Sequence, residues 1–173
     1  VVSVLKSNVG IESPFISING GNIQITTSDN GINIVDNSQA LLQNFITESK
    51  SQLIVNDGYL YVDSSGDGIN AEGNIVMNGG VVVINGPTDN ENSSIEYKDT
   101  FTMSGGEFIA ADYEDGGQMP SQVSTQPTIS LKFLKEQKAG TMVQLVDNDD
   151  KSVIAFSPRK QFKNIVISSK DLK

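Results

Sequence analysis

Ile75-Val-Met-Asn-Gly-Gly-Val-Val-Val-Ile84 decides the fold, because it is one copy of a template. The same pattern stands at Ile16-Ser-Ile-Asn-Gly-Gly-Asn-Ile-Gln-Ile25, Leu53-Ile-Val-Asn-Asp-Gly-Tyr-Leu-Tyr-Val62 and Phe101-Thr-Met-Ser-Gly-Gly-Glu-Phe-Ile-Ala110. Each copy holds two short alternating runs around an Asn-Gly-Gly bend. The copies are offset by 37, 22 and 26 residues. Strand-like repeats at this period predict an all-β chain built as a solenoid of parallel rungs. In such a fold, equivalent residues of successive rungs stack about 4.8 Å apart, so the copies can be read as columns.

Four columns point inward. They are Ile16/Leu53/Ile75/Phe101, Ile18/Val55/Met77/Met103, Ile23/Leu60/Val82/Phe108 and Ile25/Val62/Ile84/Ala110. The Asn19/Asn56/Asn78/Ser104 column predicts a ladder of side-chain hydrogen bonds along the stack. The Gly21/Gly58/Gly80/Gly106 column supplies the backbone freedom of the bend.

Rungs are expected over residues 1–112, with residues 35–52 as an insertion that explains the long first offset, either a short helix or a side loop. Residues 113–127 are polar and turn-rich, a linker or an extended cover. Beyond them the template stops. Four alternating stretches within residues 128–173, with Asp147-Asn-Asp-Asp150 as a turn between the second and third, predict a small antiparallel β module that caps the open end. The charge divides at the same place. Residues 1–127 carry 3 Lys+Arg against 16 Asp+Glu, and residues 128–173 carry 9 against 5.

The chain has no Cys and no His, which removes disulfides, thiol nucleophiles, imidazole bases and the usual zinc ligands. No apolar stretch approaches the roughly 18 residues of a spanning helix, and no signal-peptide pattern opens the sequence. No membrane insertion is expected. The acidic rungs repel nucleic acid.

The second turn of each rung carries the candidate chemistry. Ser28-Asp-Asn-Gly-Ile-Asn33 aligns with Ser65-Gly-Asp-Gly-Ile-Asn70, flanked by Val9-Gly-Ile-Glu12 and Ser93-Ser-Ile-Glu96. One column reads Glu12/Asn33/Asn70/Glu96, and its neighbour reads Asn30/Asp67 with Asp29 and Asp63 beside it. Asp-Gly and Asn-Gly pairs are ordinary turn residues. Stacked in an acidic stretch, they also gather the carboxylate, amide and carbonyl oxygens that Ca²⁺ takes. Calcium is therefore the expected cofactor, with these eight residues as candidate ligands. On the outward face, Tyr61/Val83/Ile109 and Tyr59/Val81 form columns too apolar for a solvated surface. Either another part of the chain packs there, or Tyr59 and Tyr61 present a sugar-stacking face.

The segments Ile-Ser-Ile-Asn-Gly-Gly21, Ser-Gly-Asp-Gly-Ile-Asn70, Val-Val-Val-Ile-Asn-Gly-Pro-Thr88 and Phe-Thr-Met-Ser-Gly-Gly-Glu-Phe-Ile-Ala110 resemble a bacterial family of extracellular carbohydrate-binding domain-containing β-helix proteins whose founding member is clostridial. The resemblance runs from about residue 9 onward and includes the C-terminal module. It implies a right-handed parallel β-helix, kin to pectate-lyase-like folds, that holds calcium and binds acidic plant polysaccharide such as polygalacturonate outside the cell or on its surface. The chain departs from the family where Asp29-Asn30-Gly31 replaces Asp-Asp-Gly and where Ser94 stands in place of Gly.

The expected function is calcium-dependent, non-catalytic binding of acidic polysaccharide. A polysaccharide lyase of the pectate-lyase-like class is one alternative. It needs a base for the proton beside the uronate, and Lys6, Lys50 and Lys98 are the only cationic side chains in the rungs. Lys98 stands near Glu96 and Asp99, which favour its charged form, so no catalytic residue is assigned. A surface scaffold with purely structural calcium is the other alternative.

Overall fold

The computed structural model describes residues 1–36, 51–113 and 117–172. All its regular structure is β, and the described residues hold no helix. Most of the expected 35–52 insertion lies outside the described residues; at its two ends, the Ser51 hydroxyl donates to the Val35 carbonyl at 2.7 Å.

The first part of the chain forms β1 (Val2–Ser7), β2 (Ile11–Glu12), β3 (Phe15–Thr27), β4 (Ile32–Ile34), β5 (Gln52–Ser64), β6 (Ile69–Ala71), β7 (Asn74–Met77), β8 (Val81–Asn85), β9 (Ile95–Tyr97), β10 (Phe101–Met103) and β11 (Glu107–Asp112). These strands pair in parallel along two ladders. One sheet contains β1-β3-β5-β8-β11, with β7 and β10 pairing beside it; the other is β2-β4-β6-β9. The registers are those of the aligned copies. Ile16 pairs with Leu53, Leu53 with Ile75 and Ile75 with Phe101. Ile23, Leu60, Val82 and Phe108 form the next such row.

Alternation explains the core. The inward columns are buried, with Ile23 partly so, and Ile32, Ile34, Ile69, Ala71 and Ile95 close the interior from the second sheet. Phe101 and Phe108 meet edge to face at 5.2 Å between centroids, the arrangement favoured by ring quadrupoles. At the bend, Gly21, Gly58, Gly80 and Gly106 all have positive φ, from 76° to 99°, a region L-residues with a Cβ avoid. The amide ladder forms beside them. Asn56 Nδ2 donates to Asn19 Oδ1 at 2.7 Å, Asn78 Nδ2 to Asn56 Oδ1 at 2.8 Å and Ser104 Oγ to Asn78 Oδ1 at 3.0 Å.

The remaining strands are β12 (Thr128–Gln137), β13 (Val143–Val146), β14 (Ser152–Phe156) and β15 (Phe162–Ser169). β15 adds to β11 in the antiparallel sense, and β12 pairs with β15, so the large sheet is mixed. β15 and β12 continue the sheet of β1, β3, β5, β8 and β11, while β13 and β14 pair as a separate two-stranded sheet. The β13–β14 hairpin turns at Asp147, whose carboxylate accepts the Asp149 and Lys151 amides at 2.9 Å each. A second apolar cluster joins Ile109 and Ala111 to Ile154, Phe162, Ile165 and Ile167. This packing accounts for part of the apolar outward stripe.

Residues 117–126 run along the exposed edges of β9 and β10. The Gln118 amide donates to the Ile95 carbonyl at 3.0 Å, and Gln118 Oε1 accepts the Tyr97 amide at 2.8 Å. Ser121 and Ser124 hydroxyls accept the Phe101 and Met103 amides at 2.9 and 3.1 Å. Edge groups that would otherwise be unpaired are thereby satisfied.

Candidate functional site

The second turn stacks as its sequence alignment requires. Glu12 pairs with Asn33, Asn33 with Asn70 and Asn70 with Glu96 across β2, β4, β6 and β9. The Asn33 amide donates to Glu12 Oε2 at 2.7 Å. In the neighbouring column each side chain caps the next turn. Asn30 Oδ1 accepts the Asp67 amide at 2.9 Å, and Asp67 Oδ1 accepts the Ser93 amide at 2.7 Å. Part of this oxygen set therefore already serves the backbone.

The turns approach closely because their glycines lack a Cβ. A Cβ on Gly10 would strike the Gly31 carbonyl, one on Gly31 the Gly68 carbonyl, and one on Gly68 the Ser94 carbonyl. A fourth glycine is unnecessary at Ser94, because among the described residues no further parallel turn stacks on it. Instead, Asp112 of β11 accepts hydrogen bonds from both the Ser94 amide and the Ser94 hydroxyl, the latter at 2.5 Å, and from the Gly117 amide at 2.9 Å. Ser94, where the resemblance implies a glycine, sits where the parallel ladder ends.

Electrostatics link three of the carboxylates. Asp67 is only 7% exposed. Burial pushes its carboxyl above the ordinary aspartate range, and the like charges of Glu96 and Asp29 push the same way, against the hydrogen bonds from Ser93. Burial raises Asp112 as well. An open groove of about 370 Å³ lies beside Glu96, with Asp89, Glu91 and Asp112 among its walls. Among the described residues, no three acidic side chains converge closely enough to hold a metal ion. The larger cavity, about 470 Å³, is lined wholly by C-terminal residues such as Ile129, Leu145 and Val153.

Asp63 has a different partner. Its Oδ1 lies 2.8 Å from Lys160 Nζ, and the same ammonium donates to the carbonyls of Ser64 at 2.5 Å and Gly86 at 3.1 Å. Beside it, the Arg159 guanidinium lies over the Tyr61 ring, 5.1 Å from its centroid. Asn85, 1% exposed, ties the two together: its Nδ2 donates to the Tyr61 hydroxyl at 3.0 Å and its Oδ1 accepts the Arg159 amide at 2.7 Å. Burial and Asp63 push the Tyr61 hydroxyl up to about 12. Tyr59, two residues earlier on β5, is half-buried on the same face. Arg159, Lys160, Asn85, Ser94 and Asp112 were not among the candidates. The one signal for Arg159 is that it is the chain's sole arginine.

Of the lysines weighed for a lyase, Lys98 pairs with Glu72 Oε2 at 3.2 Å, which raises its pKa. A base must give up its proton to act, so the pairing works against that role. Lys50 lies outside the described residues.

A family model described as carbohydrate-binding domain-containing protein matches residues 3–90, just over half of the chain. The chain belongs to that family. No curated protein matches it, and no solved structure does. The matched span holds Tyr59, Tyr61, Asp63 and most of the stacked turns, and it ends before Glu96 and the C-terminal strands. Membership supports non-catalytic carbohydrate binding.

Proposed function

We propose that this chain is a non-catalytic binding module for acidic polysaccharide of the pectin or polygalacturonate type, acting outside the cell and dependent on calcium. The observation that carries this reading is the joining of family membership to a column of hard oxygen donors in the second turn. Asp67, the Asn30, Asn33 and Asn70 amide oxygens and the carbonyls of the turns would hold the ion, with Asp29, Glu96 and Glu12 flanking them. These donors suit calcium in kind. Burial, and after it the like charges of Glu96 and Asp29, push the Asp67 carboxyl upward, and a bound cation would oppose that push. Bound there, calcium would bridge protein and uronate carboxylates, which otherwise repel. The two parallel ladders are read as faces of a right-handed β-helix. Tyr59 is the more open of the two sugar-stacking candidates, because Tyr61 already faces Arg159.

A scaffold with structural calcium is the second reading, favoured by the Asn30 and Asp67 oxygens already serving neighbouring turns. Calorimetric titration of galacturonate oligomers, with calcium and then with chelator, separates the two. Binding that calcium strengthens supports the module. Calcium uptake with no oligomer binding would leave the scaffold.

A further inference from the structure

We infer that Arg159 is a carboxylate-reading residue of a sugar site on the outward face of β5, beside Tyr59 and Tyr61. The inference rests on the carbohydrate-binding reading above and adds to it a contact with the uronate that needs no calcium.

Four observations carry it. Among the described residues, the Arg159 guanidinium makes no hydrogen bond or ion pair; its recorded partner is the Tyr61 ring. A planar guanidinium with its donors uncommitted matches a carboxylate in bidentate fashion. Second, the group is preorganised. The buried amide of Asn85 holds both the Arg159 backbone and the Tyr61 hydroxyl, so the two residues stand side by side before a ligand arrives. Third, the nearby carboxylate that would compete for it, Asp63, is already paired with Lys160. Lys160 thus leaves Arg159 available and removes a charge that would repel an anionic ligand. Fourth, Tyr59 and Tyr61 alternate on one face of β5, about 6.7 Å apart along the strand. A sugar ring can lie against Tyr59 while its carboxylate reaches Arg159. The exposed Gln24, which pairs with Tyr61 from β3, offers an amide for hydroxyl groups. The ligand class is therefore a uronate, a pyranose bearing a carboxylate.

The test uses trigalacturonate as probe and galactotriose as its neutral counterpart, titrated into wild type, Arg159→Gln and Arg159→Lys, each with calcium and with chelator. Arg159→Gln keeps the backbone bond to Asn85, so its melting temperature should match wild type and folding does not confound the result. The expected result is weak but measurable trigalacturonate binding in chelator, reduced roughly tenfold to a hundredfold by Arg159→Gln, with the lysine variant between. Galactotriose should show no difference between wild type and Arg159→Gln. Two results would overturn the inference while leaving calcium-dependent binding intact: wild-type binding that vanishes completely in chelator, or Arg159→Gln binding as tightly as wild type. Absence of trigalacturonate binding in both conditions would overturn the inference and the proposed function together.

Discussion

Lys160 Nζ lies 2.8 Å from Asp63 Oδ1, joining residues 97 positions apart. The pair is mostly buried, with side-chain exposures of 26% and 18%. The ammonium also donates to backbone carbonyls of β5, the end of β8 and the turn after it. It fastens the loop between β14 and β15 to β5 and the turn after β8. Lys160→Met should cost about 1–3 kcal/mol, since it strands a mostly buried carboxylate and frees several acceptors. Urea unfolding of Lys160→Met, Asp63→Asn and the double variant checks this. Fully additive losses would show that the pair is not coupled.

Asp67 has two roles that substitution can separate. Asp67→Ala removes the acceptor for the Ser93 amide and should destabilise by about 1–3 kcal/mol with or without calcium. Asp67→Asn keeps an acceptor oxygen and removes only the charge, as Asn30 does in the preceding turn. In calcium, Asp67→Asn should therefore melt below wild type, and in chelator it should not. Equal melting in both conditions would remove Asp67 from the calcium site.

The pH dependence in chelator has a definite sign. The folded-state pKa of Asp67 is raised above an unfolded value of about 3.9. Its contribution to stability is then fully present below about pH 3.9 and is lost as pH rises through the folded value. Across that window Asp67→Asn should gain on wild type as pH rises. A thermal melting series from about pH 3.5 to 6.5 measures the difference directly. A difference that stays flat would show that burial does not raise this carboxyl.

Gly68 is required by contact, since its substituent would meet the Ser94 carbonyl and the Ile84 side chain. Gly68→Ala should cost about 3 kcal/mol, at the upper end of overpacking penalties. Ser94→Gly should cost less, because it loses only the hydroxyl bond to Asp112. Denaturant midpoints of the two variants give the ranking, and the reverse order would place the crowding elsewhere.

The parts legible in the sequence share one property: they are set by residues one repeat apart. Aligning the Asn-Gly-Gly bends aligns Ile16 with Leu53 and Ile75, and Glu12 with Asn33 and Asn70, because a parallel ladder without slippage preserves such offsets. The four C-terminal strands were legible as strands for the same local reason, alternation and a turn at Asp147. Their destination was not. Alternation in Ile165 and Ile167 shows a face to bury but does not say that β15 lies antiparallel on β11. Asp63 looked like one more acid at a crowded corner because its partner stands 97 residues away, outside any repeat. Tyr61 in the same way showed an apolar column but not the arginine over it.

The change of strand direction between β11 and β15 has a consequence for length. A parallel ladder is periodic, and each rung offers the next the same spacing of donors and acceptors. An antiparallel strand offers alternating close and wide pairs instead. β12, the strand beyond, bears Lys132 and Lys135 and shifts register before Gln137. β15 thus ends the parallel ladder on the β11 side. The parallel ladder can be lengthened by inserting a whole repeat ahead of Phe101, but adding a parallel strand after Asp112 would require moving β15.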